Sequence, residues 1–464
     1  MNHSNTIIQV FDEILNEKKC NELCRRCKFI KRSSSKIQGA EFIKIMILPA
    51  EGLTTDSLSG LCKRMREFNP SANISAQALC KRINNASSCV LMKSLLGELL
   101  FQSAAKLINK HPNLNFVLGK FNNVYLEDSS VAILNNALVE EYPSVNKNKT
   151  LARSQVKIDL IYEVLRGRMV ESNIYSGTQP DQSLAGQILK HLKPGDLIIR
   201  DLGYFALKIF KAIAENGAYW VSRLQPGVIF FTDKKSKIPL DIGKYLQENH
   251  LDKNIIELNG FLGEERVESR IILYRQPQDI VNKRSRIANK NAKRNGRTIS
   301  KSKKNSLKYA IFVTNIPKEM ISAEIIGTIY RLRWEIELIF KRWKSQLNID
   351  HLPGINKNRI DCLIWGRLCM VVIIELITGY VSEIAQRHFR LEISEVKLIE
   401  YLLRDSGLKT AMGHGKLESF FCELEKDIRR MLLKNKRKLK TMRERILKEE
   451  SYYNTQVFIN QQVA

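Results

Sequence analysis

The order of strand-like and helix-like segments between residues 116 and 225 restricts the fold of this chain most strongly. Alternating apolar positions from Val124 predict a strand that ends in acid at Asp128. Two strands, a helix, a strand, a helix and a last strand are predicted next: Val156–Val164, Met169–Ser172, Gln182–Leu192, Asp196–Arg200, Tyr204–Asn216 and Tyr219–Leu224. This order predicts an α/β fold with an RNase H-like core in residues 116–225.

Residues 226–308 interrupt the predicted core with a different pattern. Short β-like runs such as Gly227–Phe231 and Arg270–Tyr274 predict a β-rich insertion. Lys283–Lys308 then carries eleven Lys or Arg residues and no acid. Such a run predicts a mobile basic loop that contacts a polyanion, or one that is only flexible and soluble. The core is expected to resume in residues 309–354.

Helical patterns dominate both ends of the sequence, in residues 1–115 and 355–464. Near the start, Asp56–Phe68 and Ser75–Asn84 predict two short helices joined by a tight turn, the second of them basic. The pair is either an ordinary helical hairpin or a helix-turn-helix that reads DNA. Near the end, Lys426–Lys448 interleaves eleven basic residues with apolar ones, which suits either self-association or contact with a polyanion.

The segment from Tyr330 to Lys344 is predicted to be one helix that carries a carboxylate between two cations. At about 100° per residue, four side chains share an arc of roughly 60°, namely Tyr330, Arg333, Glu337 and Lys344. Apolar side chains fill the adjoining arc, as on a helix that packs on a core. The arrangement suits a metal ion and a phosphate. It also suits a solvated helix edge on which Arg333 and Glu337 form an i,i+4 ion pair.

The spacing of these four residues resembles the Y-(2)-R-(3)-E-(6)-K signature of bacterial insertion-sequence transposases of the IS-four group. The resemblance covers roughly residues 1–420. It implies a DNA transposase that cuts at terminal inverted repeats, joins the ends to target DNA and works as a homodimer in the synaptic complex. It also implies an N-terminal helical DNA-binding domain and a C-terminal helical region, residues 355–464, that could serve dimerisation.

The resemblance further implies an active site made of a DDE carboxylate triad, with Glu337 as the third acid. Asp128 lies in a segment that resembles the family's first-aspartate strand, and Asp201 matches the family's D-x-G-x-F pattern. Gly203 would permit a sharp turn after that second aspartate. Ile311–Pro317 resembles the family's strand that leads towards the signature helix.

The resemblance assigns catalysis and the binding of Mg2+, with Mn2+ as a possible substitute, to Asp128, Asp201 and Glu337. Hard cations take oxygen ligands, and a pair of them would activate the attacking group and stabilise the leaving oxygen of a phosphodiester. DNA phosphate would be bound by Tyr330, Arg333 and Lys344. Two neighbouring acids are discounted, because Glu127 lies on the opposite strand face and Asp196 at the far end of its strand.

Composition supports a nucleic-acid partner and argues against several other classes of protein. The formal net charge is +27, from 75 Lys and Arg against 48 Asp and Glu, which favours polyanions. No P-loop occurs, which argues against ATP-driven chemistry. The apolar run Cys362–Val381 contains Arg367 and Glu375, so it predicts a buried helix and no membrane span. Nine cysteines without the spacing of a disulfide framework, and the absence of a secretory pattern, predict an intracellular protein. For a bacterial transposase, as the resemblance implies, this means a cytoplasmic, nucleoid-associated protein.

Three functions are compatible with this sequence. The leading one is cut-and-paste DNA transposition with Mg2+. An RNase H-like nuclease that cuts without joining is the second, and a catalytically inactive DNA-binding relative is the third. The presence of all three acids argues against the last. Residues 226–308 contain no tryptophan, so the base-stacking role that some relatives give to this insertion has no residue here; Trp220 and Trp334 lie outside it.

Overall fold

The structure, a computed structural model, describes residues 15–31, 37–48, 57–105, 115–145, 153–249, 253–404, 408, 411 and 416–428. These residues divide into two compact units. The first unit takes its described residues from the ranges 1–112, 129–179 and 337–439, and the second takes them from 113–128 and 180–336. The predicted basic helix Lys426–Lys448 falls almost entirely outside the described residues.

The strands, in chain order, are β1 (Val124–Ile133), β2 (Gln155–Glu163), β3 (Arg168–Ser176), β4 (Leu197–Arg200), β5 (Tyr219–Arg223), β6 (Phe230–Phe231), β7 (Ile255–Leu262), β8 (Val267–Arg275) and β9 (Tyr309–Thr314). In the second unit their order is β1-β4-β5-β9-β8-β7-β6. There β4 is parallel to both β1 and β5, whereas β9 is antiparallel to β5. In the first unit β2 neighbours β1 and runs antiparallel to β3.

The helices, in chain order, are α1 (Glu17–Arg26), α2 (Gly39–Ile47), α3 (Leu58–Phe68), α4 (Ala76–Ile83), α5 (Ala86–Ala105), α6 (Asn115–Leu118), α7 (Asp181–Leu184), α8 (Leu207–Glu215), α9 (Ile242–Asn249), α10 (Gln278–Arg294), α11 (Lys301–Ser306), α12 (Ala323–Arg331), α13 (Arg333–Leu347), α14 (Lys357–Ile384), α15 (Glu395–Arg404) and α16 (Leu417–Asp427). The mixed sheet and these helices confirm the predicted α/β class.

The strand that carries Asp128 does not end there, as the sequence predicted, but continues to Ile133. Its first four residues are buried and the following residues are partly or fully exposed, apart from Ala132. The prediction was wrong because the acidic and hydroxyl side chains after Leu126 look like the end of a strand. In the structure they mark the point where β1 leaves the core, which leaves Asp128 at the edge of the buried region.

The predicted helix Gln182–Leu192 is in fact two short pieces, α7 and a 3₁₀ turn over Gln187–Lys190. Gly186 lies between them, and a glycine at this point weakens a continuous helix. The other predicted elements of residues 116–225 occur with ends shifted by a few residues. The order of strands and helices is therefore confirmed, while one helix is broken.

The basic segment Lys283–Lys308 was predicted to be a loop, and this prediction was wrong. Most of it lies in α10 and α11, which contain no buried residue. Pro277 caps α10, Asp279 lies in its first turn, and Gly296 follows it with a φ of 63°. These are signals of a helix start and stop, and Lys293 and Arg294 in the last turn complement the helix dipole.

The rest of residues 226–308 is only partly β, and its strands do not form a separate sheet. β7 and β8 form an antiparallel hairpin, and β8 pairs with β9. The hairpin thereby extends the sheet of the second unit. One helix, α9, interrupts the β pattern and packs against α11, where a Cβ on Gly243 would meet backbone of Ser302.

The two short helices predicted near the N-terminus are confirmed as α3 and α4. The Ser75 hydroxyl caps α4 by accepting a hydrogen bond from the Ala78 amide at 3.2 Å. Arg82 donates to the Phe29 carbonyl at 2.6 Å and stacks on the Phe29 ring, so this cation stabilises the helical unit. Gln77 and Lys81 are exposed. Whether this pair of helices reads DNA stays a prediction.

The apolar run Cys362–Val381 lies inside α14 and is almost completely buried, as predicted. The Glu375 carboxylate accepts a hydrogen bond from the Met169 amide at 3.0 Å, and Arg367 donates to backbone carbonyls of Asn348 and His351. Its polar groups are therefore satisfied within the first unit. Among the described residues, no helix combines the length and the apolar character that crossing a bilayer requires.

Candidate active site

Two parallel strands place Asp128 and Asp201 next to each other. β1 and β4 pair in a register that sets Glu127 opposite Arg200. Asp128 follows Glu127 within β1, and Asp201 comes directly after the last residue of β4. The backbone of Asp201 is still extended, with φ of −79° and ψ of 170°. Neighbouring residues of parallel strands leave the sheet at the same edge, and the two side chains are 20% and 40% exposed. The predicted pair of acids is thus brought together at an accessible edge.

The Tyr330 signature lies on two helices, although the sequence predicted one. α12 ends at Arg331, Leu332 forms a tighter turn, and α13 begins at Arg333. The Leu332 amide donates to the Ile329 carbonyl at 3.0 Å, three residues back, and the Leu332 side chain is buried. Apolar periodicity does not distinguish one such turn from α-helix, so Tyr330 and Arg333 belong to different elements.

Arg333 lies between the two aspartates. Its Nη1 is 3.9 Å from Asp128 Oδ2, and its Nε is 3.7 Å from Asp201 Oδ1. The guanidinium is 18% exposed, so these contacts are partly shielded from water. Two carboxylates therefore share one cation. The resemblance had implied a contact between Arg333 and phosphate, and the helical spacing had left open an ion pair between Arg333 and Glu337.

Tyr330 donates a hydrogen bond from its hydroxyl to Asp201 Oδ1 at 3.3 Å. Its ring is buried against Phe312, with the ring centroids 5.0 Å apart. Burial, reinforced by the negative charge of Asp201, raises the pKa of Tyr330 to about 12. The phenol is therefore a neutral donor throughout the physiological pH range.

Glu337 and Lys344 follow Arg333 on α13. Glu337 lies one turn after Arg333 and is half-buried. Lys344 is also half-buried, and its Nζ donates to the Val131 carbonyl of β1 at 3.1 Å. Lys344 thus contacts the strand that carries Asp128, three residues beyond that aspartate.

The two discounted acids have structural partners. Asp196 is buried and accepts hydrogen bonds from the Asn123 side chain and the Lys193 amide, both at 2.8 Å. Glu127 is buried and forms an ion pair with Arg200 at 2.6 Å. Both acids are committed to holding β1 and β4 in place, which agrees with their exclusion from the predicted site.

Gly203 lies close to the Asp181 side chain and does not adopt an unusual backbone conformation. A Cβ at this position would lie 2.9 Å from Asp181 Oδ2, while the φ of Gly203 is outside the left-handed region. The predicted sharp turn after Asp201 does form, as a 3₁₀ turn over Leu202–Tyr204. The turn closes against the start of α7.

The chemistry of these groups suits a hard divalent cation. Asp128 and Asp201 offer carboxylate oxygens that already converge on one positive charge, and oxygen is the donor that Mg2+ and Mn2+ prefer. Among the described residues, no group of three His, Cys, Asp or Glu side chains is arranged to hold a metal ion. The fit therefore rests on the aspartate pair, and the role of Glu337 rests on its place in the signature.

The two tryptophans named above differ in environment. Trp220 is fully buried and stacks on Phe210, with ring centroids 4.2 Å apart. Trp334, next to Arg333 on α13, is 52% exposed. Trp220 is thus part of the core, and only Trp334 presents an accessible ring.

Comparisons with known proteins agree on one family. A family model described as "Transposase DDE domain" matches residues 135–373, a range that begins after Asp128 and contains Asp201 and Glu337. The transposase for insertion sequence element IS231F of Bacillus thuringiensis subsp. israelensis is 28% identical over 393 residues, which cover 82% of this chain and 81% of that protein.

The transposase for insertion sequence element IS1151 of Clostridium perfringens is 26% identical over 418 residues, covering 86% of this chain and 85% of that protein. Among solved structures, the chain is similar to a piggyBac transposase synaptic complex with hairpin DNA. The similarity covers 94% of this chain and 87% of the piggyBac chain. The identity there is 11% and the TM-score 0.40, a level of similarity too low to locate individual residues.

Proposed function

Because this chain belongs to the family of DDE-domain transposases, we propose that it cuts DNA at the ends of an insertion sequence and joins those ends to target DNA. The observation that supports this most is the convergence of Asp128 and Asp201 on Arg333 at the edge of the sheet. We infer an RNase H-like core from the parallel strands β1, β4 and β5 with β2 and β3 beside β1. Residues 226–308 are then an insertion before β9.

We propose that Asp128, Asp201 and Glu337 hold the divalent cation, Mg2+ or Mn2+. When bound, such a cation polarises the phosphodiester and lowers the pKa of the attacking water or 3′-hydroxyl. Arg333 would donate to a phosphate oxygen once its carboxylate partners face a metal, because guanidinium–phosphate contacts are directional and strong. The neutral phenol of Tyr330 keeps Asp201 oriented by donating to Oδ1.

Joining, as opposed to cutting alone, distinguishes a transposase from a nuclease of the same fold. A linear DNA carrying the terminal inverted repeats with labelled 3′ ends is incubated with the full chain, Mg2+ and a supercoiled target. We expect label to appear in relaxed and linear target molecules. Cleaved ends without labelled target would instead favour the nuclease. Binding without either product would favour an inactive DNA-binding relative.

Tyr330→Phe tests the phenol separately from its ring. The ring keeps its packing on Phe312, so we expect stability to change by less than about 1 kcal/mol. Cleavage should slow by roughly 5- to 10-fold, because one hydrogen bond to Asp201 is lost. The unfolding midpoint and the single-turnover cleavage rate measure the two effects.

The ionisation of this phenol gives a second readout. The folded-state pKa of Tyr330 is raised to about 12 from its ordinary 10.0, so the contribution of Tyr330 to stability is complete below pH 10. It should fall as the pH rises from 10 to about 12, and Tyr330→Phe should lack this component. Equal pH dependence of unfolding in both proteins would contradict a buried, neutral phenol.

A stripe of basic side chains on α10 is our candidate for contact with the DNA backbone. The side chains of Lys283, Arg286, Lys290 and Lys293 are all exposed. Their spacing of three and four residues sets them on one face of the helix, within an arc of roughly 80°. Arg284 faces elsewhere and donates to the Tyr309 carbonyl at 2.9 Å, which fixes the helix to β9.

Replacing the four stripe residues by Gln should weaken end binding and reduce its dependence on salt. Each lost phosphate contact lowers the slope of log K against log salt by about one, without changing sequence preference. The matched control replaces four exposed lysines that lie elsewhere in residues 226–308, namely Lys234, Lys235, Lys237 and Lys244. If both quadruple variants show the same slope, the effect is one of net charge and the stripe has no special role.

A further inference from the structure

A buried ion pair lies directly behind the candidate aspartates. Arg200 Nη2 is 2.6 Å from Glu127 Oε2, and both side chains are 0% exposed. The two residues are cross-strand partners in the parallel register of β1 and β4. Each immediately precedes one aspartate of the site. The separation of this pair is therefore linked through one peptide unit on each strand to the separation of Asp128 and Asp201.

Arg200 also fixes a third segment around the site. Its Nη2 donates to the Ala185 carbonyl, just after α7. Gln182, within α7, donates to the Phe205 carbonyl at 2.9 Å. Both contacts tie α7 to the chain on either side of Asp201. One guanidinium therefore holds β1, β4 and α7 in a single arrangement.

Stability alone does not account for such a pair. Removing two charges from water costs several kcal/mol per ion, and apolar residues of similar volume are often as stable or more stable. Other polar atoms of Arg200, Nε and Nη1, are buried without a hydrogen-bond partner, which makes the arrangement still less favourable. What an ion pair at 2.6 Å supplies, and an apolar pair does not, is a fixed distance between one residue of each strand.

We propose that the Glu127–Arg200 pair is a positioning element that sets the Asp128 and Asp201 carboxylates at the separation needed to share one divalent cation. The proposal rests on the proposed function, because it assumes that these aspartates hold the metal. It goes beyond that function by assigning a role to two residues that contact neither metal nor DNA.

The test compares the full-length wild type with the double variant Glu127→Leu/Arg200→Met, which replaces the pair by apolar side chains of similar size. Mn2+ binding without DNA is measured from the loss of the free-ion paramagnetic resonance signal. The Mg2+ concentration that half-saturates end cleavage and the thermal unfolding midpoint are measured in parallel. Asp128→Ala is included as the variant that lacks a proposed metal ligand.

We expect the double variant to unfold at or above the wild-type midpoint but to bind Mn2+ about 10-fold more weakly. The half-saturating Mg2+ concentration should rise by a similar factor, and the maximal rate should fall less. A folded double variant with wild-type Mn2+ affinity and Mg2+ dependence would overturn the proposal. That result would leave a pair with only a structural role.

Single variants keep the test decisive if the double variant does not fold. Glu127→Asp and Arg200→Lys retain both charges but change the reach of one side chain, and each should weaken Mn2+ binding by about 3-fold or more. Wild-type affinity in both folded variants would overturn the proposal. If Asp128→Ala binds Mn2+ as tightly as the wild type, the proposed metal site itself is wrong, and the positioning role falls with it.

Discussion

Alanine in place of Asp128, Asp201 or Glu337 is expected to abolish strand cleavage and to leave binding of the transposon end nearly intact. Each substitution removes one proposed oxygen ligand of the divalent cation, whereas the basic surface that attracts DNA is unchanged. We expect the cleavage rate to fall by about 10³-fold or more, equivalent to about 4 kcal/mol of transition-state stabilisation. Single-turnover cleavage of a labelled end in Mg2+ measures this, and a gel-shift titration measures binding.

Asp196 offers a matched control for this experiment. Asp196 is an acid near the same strand, but its side chain is buried and bonded to Asn123 and the Lys193 amide. Asp196→Asn is expected to affect stability much more than the cleavage rate of the folded protein. If Asp201→Ala still nicks the end at close to the wild-type rate, the assignment of the triad is wrong. If Asp196→Asn is the inactive variant instead, Asp196 and not Asp201 is the catalytic acid.

The order of elements could be predicted from the sequence because the two central strands of the core, β4 and β5, are short and mostly apolar. Leu197–Arg200 is buried throughout, Tyr219–Arg223 is buried at its three central residues, and both strands were found at nearly the predicted positions. The basic helix α10 was missed because its charge suggested a loop. Its boundaries were nevertheless present in the sequence, as Pro277 before it and Gly296 after it.

The site was predictable in part. The family resemblance implied that Asp128 and Asp201 would share one site, and the structure places them on either side of Arg333. The role of Arg333 was not predictable, because helical spacing alone does not show which side chains approach from another strand. The Glu127–Arg200 pair carried a signal that could have been used. Glu127 and Arg200 each follow a short run of buried residues and come just before a candidate aspartate.

Arg333 and Lys344 are expected to behave differently when each is replaced by Ala, although the spacing of the signature suggested one shared role. Arg333 lies within 3.9 Å of Asp128 and within 3.7 Å of Asp201. Lys344 donates instead to the Val131 carbonyl. Arg333→Ala therefore leaves two neighbouring carboxylates without their shared counter-charge. Lys344→Ala removes a contact to backbone.

Loss of the counter-charge should strengthen metal binding while it weakens catalysis. A metal ion competes with the Arg333 guanidinium for the same two carboxylates. Arg333→Ala should therefore lower the half-saturating Mn2+ concentration by about 3- to 10-fold. The factor is modest because solvent partly screens the contacts between Arg333 and the aspartates. The maximal cleavage rate should fall by roughly 10- to 150-fold, because a charge-assisted phosphate contact of about 1.5–3 kcal/mol is lost.

Lys344→Ala is the control for this separation of metal binding from catalysis. It should lower the maximal rate within the same range but leave the half-saturating Mn2+ concentration unchanged, since its contact is to a neutral carbonyl. Direct Mn2+ titration of both variants, without DNA, checks that the change in Arg333→Ala belongs to the metal site. Weaker Mn2+ binding in Arg333→Ala would mean that the guanidinium orders the two aspartates for the metal and does not compete with it. Rescue of Lys344→Ala by excess Mn2+ would place that lysine in support of the metal site and contradict its assignment to phosphate.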